Sequence, residues 1–388
     1  MEQGFTHVPL TANQDSAPAR TLVATYRHAL PMVSRCATFE FEDVISEVDA
    51  VDWIDVNVKP WSRRIARLET MAPPLFAPFS TAHLPNHRKY DLLFVSVHGA
   101  KDLCRMQPLS RFLASARTTA CHVDEIWAHD IGRRIPELAQ LRRFDMLFTA
   151  CLGGVEALHE ATGRPCYYLP PSVDALRFCP FPANHPRIID VYLMGRHRRE
   201  LHQALREATA TGGRIYLFDT ALWTTVYDAT EHRLQLAAIA QRTKYFVVDV
   251  AKADRPGDTG PQQEIGTRYF EGAAAGSVLI GVVPRSAAFG KLFGWPDSVV
   301  PMESNPTGVT ALLAELDADP DRVARIGREN AAQSLRLHDG VHRWEQILRA
   351  AGLAPLPALA ARKKRLEERA NSIEDVARAV GVTPSDER

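Results

Sequence analysis

From about residue 188 onward, short runs rich in β-branched residues alternate with longer amphipathic stretches. The short runs predict strands at RIIDVYLM, RIYLF, KYFVVDV and SVLIGVV. The longer stretches have the periodicity of helices and include RRELHQALREATATGG, EHRLQLAAIAQRT and TRYFEGAAAG. Strands separated by helices of this length favour right-handed crossovers and a parallel sheet. The second half is therefore predicted to be a Rossmann-like domain.

The first half shows the same alternation less regularly. Its candidate strands are DAVDWIDV, YDLLFVSVHG, TTACHVD, FDMLFTA and CYYLP, and its candidate helices are RIPELAQLRR and GGVEALHEATG. Between the halves, residues 168–186 contain five prolines, which indicates an extended linker. The expected organisation is a disordered lead-in, an N-terminal domain, a Pro-rich linker, a C-terminal domain and a charged helical tail, with the bounds 1–20, 21–170, 171–187, 188–352 and 353–388.

Length and charge narrow the class of protein. A chain of 388 residues suits two domains. Lys plus Arg and Asp plus Glu each number 46, so no overall field attracts nucleic acid or an anionic membrane. The start of the chain lacks the pattern of a signal peptide, and no apolar run is long enough to span a bilayer. We expect a cytoplasmic protein without a nucleic-acid partner.

Basic residues follow the first strand of the second half, where ligands of open parallel sheets bind. Gly195 comes directly after the strand, and Arg196, Arg198 and Arg199 follow it. A glycine lets backbone N–H groups approach a phosphate, and guanidinium groups bind phosphate oxygens in pairs. This loop is either a diphosphate site or a basic first helical turn exposed to water.

The stretch TRYFEGAAAG places one carboxylate, Glu271, in a helix of small and apolar residues. Thr267 is expected to cap this helix, and Gly276 to end it in the left-handed conformation. Arg268 and Glu271 lie three positions apart and so share a face. Glu271 is either half of a helix ion pair or a ligand of two adjacent sugar hydroxyls, for which the neighbouring alanines leave room.

Two strand ends of the first half carry titratable side chains. His98 ends one strand, and His122, Asp124 and Glu125 end another. Asp124 or Glu125 suits a general base in an inverting transfer, whereas a retaining front-face transfer relies on the leaving phosphate. A purely structural role is the alternative for His98.

The order of these motifs resembles the second half of GT-B glycosyltransferases. The segments that carry the resemblance are YLPPSVDALRFCPFP, DVYLMGRHRRE, RYFEGAAAGSVLIG, DSVVPM and RIGRENAAQSLRLHDGVHRWEQIL. It is closest to family 4 and to the spore-maturation-protein-like group. The resemblance implies an α/β fold with two Rossmann-like domains facing across a cleft, and a C-terminal helix that crosses back to the first domain.

Individual roles follow from the same resemblance. Glu271 matches the second Glu of the family's E-x7-E motif, which binds ribose hydroxyls. Gln263 stands where the first Glu is expected, with Glu264 beside it, so either Glu264 takes that role or the contact with the donor sugar differs. Arg196 matches a phosphate-binding residue, with Arg199 as a second, and His98 matches a histidine near the donor sugar. His338 and His342 are read as structural residues.

The resulting hypothesis is a hexosyltransferase that uses a nucleotide-diphosphate sugar, without a cofactor or metal and with retention of configuration. The acceptor is expected to be a sugar, a lipid-linked molecule or another small molecule, and a homodimer is left open. The alternatives are a sugar-nucleotide epimerase, a polymer phosphotransferase and a non-catalytic binding protein. Gln263 is the feature that favours the last of these.

Overall fold

The computed structural model of the protein describes residues 18–58, 80–83, 88–103, 106, 109, 112–183, 185–210, 213–219 and 225–379. Most of the predicted lead-in and the last nine residues of the predicted tail lie outside the described residues.

The first domain is built on a seven-stranded sheet in the order β3-β2-β1-β4-β5-β6-β7. All neighbouring strands are parallel except β2 and β3, which are antiparallel. The strands are β1 Thr21–Thr25, β2 Val51–Val58, β3 Ser80–His83, β4 Tyr90–Gly99, β5 Ala116–Glu125, β6 Met146–Thr149 and β7 Cys166–Tyr168. The five strands proposed from the sequence of this half are all present.

The second domain is built on a five-stranded parallel sheet in the order β12-β11-β10-β8-β9. Its strands are β8 Ile189–Leu193, β9 Tyr216–Phe218, β10 Thr243–Val248, β11 Val278–Gly281 and β12 Val300–Pro301. The crossovers between them are helical, so the parallel sheet predicted from the alternating pattern is confirmed.

Helices of eight residues or more are numbered in chain order. They are α1 Cys36–Val48, α2 Val155–Thr162, α3 Arg199–Ala210, α4 Ala229–Gln241, α5 Thr267–Ala274, α6 Pro306–Ala318, α7 Pro320–Leu337, α8 Gly340–Ala350 and α9 Pro357–Ala379. Shorter helical turns lie at Val33–Arg35, Ala100–Leu103, Leu113–Ser115, Ala128–Ile131, Gly132–Arg134, Ile135–Leu138, Ala139–Arg143, Leu152–Gly154, Ala175–Phe178, Pro256–Thr259 and Phe289–Leu292. The helix predicted at RIPELAQLRR is therefore a series of short turns. Within the described parts of the chain, no helix combines the length and the apolar character that crossing a membrane requires.

Helix α5 lies very close to the sheet of the second domain. A Cβ atom at Gly272 would come within 2.6 Å of Leu279 and 2.8 Å of Phe246. The helix ends at Gly276, whose φ of 63° is in the left-handed region, as predicted. The prediction that Thr267 caps the helix is wrong: the N-cap is Gly266, and no side chain accepts a hydrogen bond there. Thr267 is the first helical residue instead, because the extended backbone ends at Gly266.

The Pro-rich segment between the sheets is more ordered than an extended linker. It contains the helical turn Ala175–Phe178, whose first residues are capped by the Asp174 carboxylate, which accepts from the backbone N–H of Arg177. Phe178 is completely buried. Apolar side chains between the prolines thus anchor the connection against the second domain.

The last helix, α9, crosses back to the first domain, as the resemblance implied. Arg362 on α9 is buried and pairs with Glu47 on α1, with Asp174 in the linker and with Asp339 before α8. The loop before α9 also contacts the first domain, since the Ala354 carbonyl accepts from Arg20 at 2.6 Å. The two-domain α/β architecture predicted from the sequence is confirmed.

Candidate functional site

The two domains meet where the carboxyl ends of β4 and β5 face the start of α5. A cavity of about 40 Å³ lies there, lined by Ser96, His122 and Asp124 from the first domain and by Thr267 and Arg343 from the second. Side chains of both domains therefore line one cavity.

His98 and Asp124 form an ion pair at the edge of this cleft. His98 Nδ1 lies 3.0 Å from Asp124 Oδ2, and both side chains are about one-third exposed. Burial lowers the pKa of His98, but the hydrogen bond to Asp124 and the charge of that carboxylate outweigh it and raise the pKa above its ordinary value. Burial opposes the charge on Asp124 as well, yet the bond to His98 lowers its pKa. The pair is suited to hold or move a proton.

His122 lies deeper, behind this pair. Its Nδ1 is 2.8 Å from the Ser96 hydroxyl, while its Nε2 is buried and has no partner among the described residues. Burial lowers the pKa of His122, so the ring is neutral at physiological pH. A neutral imidazole that lines a cavity with one unpaired nitrogen can bind a hydroxyl group.

On the second domain, Gly195 and Arg268 lie side by side. Gly195 follows β8 with a φ of 80°, a conformation that requires glycine. A Cβ atom at this position would stand 3.8 Å from Arg268 Nε. Arg268 is 26% exposed and is the second residue of α5, next to the cavity residue Thr267. A guanidinium group beside an open strand-end loop is suited to bind a phosphate.

The other basic residues of this loop are not all gathered there. Arg196 pairs with Asp254 through two nitrogens, at 3.0 and 3.1 Å, and Arg198 pairs with Asp249 at 2.7 Å. Arg199 begins α3 and lines a separate open cavity with His202 and Arg206. These three side chains are about one helical turn apart and so point to the same side of α3. The structure does not bring Arg199 together with Gly195 and Arg268.

Glu271 is completely buried, and both of its oxygens are engaged. Oε1 accepts from Arg233 and Oε2 from Arg268. Burial alone would raise the pKa of Glu271, but the charges of Arg268 and Arg233 lower it below its ordinary value. In this structure both carboxylate oxygens are therefore bound to arginines, and neither is exposed to solvent.

Gln263 and Glu264 both make contacts within the protein. The Gln263 side chain accepts from the backbone N–H of Arg285 at 3.0 Å. Glu264 Oε1 accepts from the backbone N–H of Gly153, in the first domain, at 2.8 Å. The other oxygen, Oε2, is buried and has no partner among the described residues. Glu264 thus joins the two domains in this structure.

Two further charged residues belong to the network around Glu271, and sequence reasoning missed both. Arg233 occupies the buried face of α4, which Leu236, Ala237 and Ala240 otherwise make apolar. A charged residue on an apolar face is the signal that could have identified it.

Glu40, the other missed residue, lies on α1, a helix that was not predicted. Phe41, Val44, Ile45 and Val48 have the spacing of a buried helical face and could have revealed α1. No pattern along the chain indicates that Glu40 contacts Arg233, which lies in another domain. Within the described parts of the chain, no group of three or more His, Cys, Asp or Glu side chains is arranged to hold a metal ion.

One protein-family model matches the second domain. Residues 196–349, less than half of the chain, match a family model described as "Glycosyl transferase-like". No curated protein matches the sequence.

Several solved structures have a similar fold. The Anabaena protein Alr3699/HepE in complex with UDP and glucose has a TM-score of 0.52 and 11% identity, over 86% of this chain and 99% of that one. An alpha-glucosyltransferase in complex with UDP-glucose and DNA containing an abasic site has a TM-score of 0.50 and 10% identity, over 87% and 100%. A glycosyltransferase from Rickettsia africae ESF-5 has a TM-score of 0.50 and 10% identity, over 87% and 98%. Identities this low establish only the fold, which is GT-B.

Proposed function

We propose that this protein transfers a hexose from a nucleoside diphosphate sugar to an acceptor. It has a GT-B fold, and its second domain matches a glycosyl transferase-like family. One observation carries the proposal. The guanidinium of Arg268 lies beside the left-handed Gly195, and its neighbour Thr267 lines the cavity to which His122 and Asp124, the partner of His98, also belong. Phosphate-binding chemistry thus lies next to a cavity with hydroxyl-binding and proton-accepting groups.

The nucleotide is proposed to bind on the second domain. Gly195, Arg196 and Arg268 would contact the diphosphate, and a negative charge at the start of α5 is favoured by the helix dipole. Arg196 would break its ion pair with Asp254 in order to bind the diphosphate. Glu271 would bind the ribose only after rearrangement, and otherwise acts by orienting Arg268. UDP is the nucleotide of choice for testing, because the Anabaena protein and the alpha-glucosyltransferase were crystallised with UDP or UDP-glucose.

The transfer itself is proposed to proceed without a cofactor or metal. Guanidinium groups can stabilise the negative charge that develops on the departing diphosphate. His122 Nε2 and the His98–Asp124 pair are positioned to bind hydroxyl groups of donor or acceptor. Retention of configuration is proposed from the family resemblance, and the anomeric form of the product, measured by NMR, tests it. The acceptor class is left as a sugar, a lipid-linked molecule or another small molecule.

Calorimetric titration with UDP, GDP, ADP and dTDP tests the nucleotide site directly. We expect UDP to bind, and Arg268→Ala to weaken binding about tenfold to a hundredfold, the effect of losing a hydrogen bond between charged groups. The matched control is Arg199→Ala, which removes the same side chain from the separate cavity and should leave the affinity unchanged. If none of the four nucleotides binds to the wild-type protein, the proposed function is wrong.

A non-catalytic sugar-nucleotide-binding protein is the second candidate. Gln263 carries no charge where a carboxylate was expected, and Glu264 is engaged with Gly153. A product assay with UDP-sugars over a panel of acceptors distinguishes the candidates. Binding without transfer, hydrolysis or epimerisation would favour the non-catalytic protein, whereas epimerised donor would favour the epimerase alternative.

A further inference from the structure

Four charged side chains of alternating sign run from the first domain to the candidate nucleotide site. They are Glu40, Arg233, Glu271 and Arg268, and we call them the charge chain. Glu40 lies on α1 of the first domain, whereas the other three lie on α4 and α5 of the second. The first three are buried, and the Arg268 side chain is 26% exposed.

Each link of the charge chain uses a different atom. Glu40 Oε2 accepts from Arg233 Nη2 at 2.7 Å, and Arg233 Nη1 donates to Glu271 Oε1. Glu271 Oε2 accepts from Arg268 Nη1. Arg233 is further restrained because its guanidinium lies 4.9 Å from the centre of the Phe178 ring. Buried charged groups have few alternative partners, so this network holds one geometry.

Glu40 is also bound by two residues of the linker between the domains. Its Oε1 accepts from Arg177 at 3.0 Å, and its Oε2 also accepts from the backbone N–H of Asp174 at 3.1 Å. These contacts hold the Glu40 carboxylate in place, and this carboxylate binds Nη2 of Arg233. Nη2 is therefore not available to Glu271.

We infer that Glu40 is a positioning residue for nucleotide binding, acting through Arg233 and Glu271 on Arg268. The inference rests on the proposed function. Without the charge of Glu40, Arg233 can turn both nitrogens of its guanidinium toward Glu271 and bind it in the paired geometry that arginine and carboxylate prefer. Arg268 then loses its partner on Oε2, and with it the orientation beside Gly195. The first domain thereby contributes to a site that lies on the second.

The test measures UDP affinity by calorimetry. Glu40→Gln, which keeps the shape and the hydrogen bond from Arg177, should weaken UDP binding about threefold to thirtyfold, the range of couplings carried through contacting residues. Glu40→Asp restores a carboxylate on α1 and should bind UDP more tightly than Glu40→Gln. The matched control is Glu47→Gln on the same helix. This change breaks contacts to α9, but Glu47 lies outside the charge chain.

A double-mutant cycle separates positioning from a general loss of stability. In the Arg268→Ala background, Glu40→Gln should have almost no further effect on UDP affinity, because the residue on which it acts is gone. If Glu40→Gln fails to fold, Arg233→Lys replaces it: an ammonium group lacks the planar fork whose two arms bind Glu40 and Glu271, so the same loss and the same dependence on Arg268 are expected.

Two results overturn the inference. One is wild-type affinity in Glu40→Gln or Arg233→Lys, and the other is an effect that adds fully to that of Arg268→Ala. Both leave the proposed function intact, since the wild-type protein still binds UDP. Absence of nucleotide binding by the wild-type protein overturns the proposed function and this inference together.

Discussion

Single buried carboxylates of this protein differ in charge state because their partners differ. Glu271 is flanked by two arginines and stays ionised. Glu42, also completely buried, has one hydrogen bond, from the Thr25 hydroxyl at 2.7 Å, and Arg27 is 3.8 Å away. Burial therefore raises the pKa of Glu42 to about 7, with Arg27 and Thr25 opposing the shift only in part. The lowered pKa of Glu271 on α5 and the raised pKa of Glu42 on α1 thus follow from their partners.

The raised pKa of Glu42 predicts a pH-dependent stability. Between the ordinary glutamate pKa of 4.5 and about 7, the folded protein binds more protons at this site than the unfolded chain, so stability falls as pH rises through that window. Glu42→Gln mimics the neutral acid. The difference in unfolding free energy between the variant and wild type should shift in favour of the variant by about 3 kcal/mol when the pH is raised from 4.5 to 8. Urea unfolding at both pH values measures this.

Glu160→Gln is the control for that experiment, because Glu160 is exposed on α2. It should change the unfolding free energy equally at both pH values. An identical pH dependence of Glu42→Gln and wild type would contradict the assignment of a neutral, buried Glu42.

At the scale of elements, the position of helix α5 determines where the candidate nucleotide site lies. Its first residue, Thr267, lines the cavity, and its second, Arg268, lies beside Gly195. Its middle packs closely on β10 and β11. The small residues after Glu271 were read from the sequence as clearance for a nucleotide and for packing. Gly272, Ala273 and Ala274 are all buried, so these positions serve packing. The close approach to the sheet determines how far Arg268 stands from Gly195.

Gly272→Ala should therefore destabilise the protein although alanine favours helices. The added methyl group would overlap Leu279 and Phe246, which costs about 1–3 kcal/mol and outweighs a propensity gain of about 1 kcal/mol. Gly290→Ala is the matched control, because nothing lies within 4 Å of its Cβ position. Urea unfolding should show a lower midpoint for Gly272→Ala only. Equal midpoints would mean that α5 can shift away from the sheet at little cost.

At the scale of the whole molecule, separate segments hold the two domains together. The loop after β10 contacts the first domain through Lys252 with Glu125, Gln262 with the Ala128 N–H, and Glu264 with Gly153. Helix α9 binds α1 from the other end of the chain. Any movement of one domain away from the other would have to break the contacts of this loop.

Arg362 tests how much α9 contributes to this arrangement. It is 2% exposed and bridges Glu47, Asp174 and Asp339, so Arg362→Met leaves the buried Asp339 without a cationic partner. We expect a loss of about 3–5 kcal/mol of unfolding free energy. Arg365→Met is the control, because Arg365 also pairs with Glu47 but is 55% exposed, and it should cost less than about 1 kcal/mol. Chemical unfolding of both variants gives the comparison, and equal losses would refute a bridging role for Arg362.

Much of the architecture could be predicted because it is local in origin. Period-two and helical patterns identified most strands and helices of the second domain, and Gly276 marked a helix end with a left-handed backbone. Strands β1 and β3, helix α1 and the turns within RIPELAQLRR escaped prediction. The two strands are only five and four residues long, so contacts distant in sequence decide their conformation. Helix α1 was not predicted although the spacing of its apolar residues could have revealed it.

The sequence alone indicated the alternation of strands and helices, the strand-end loops and a face shared by Arg268 and Glu271, because each of these depends on residues close together along the chain. The burial of Glu271, the place of Arg268 beside Gly195 and the separate position of Arg199 follow from the tertiary structure. It also brought Glu40 to Arg233 across 193 positions. The physical reason is that burial and charge pairing depend on which distant segments pack together, and the pattern of one segment does not encode its partner.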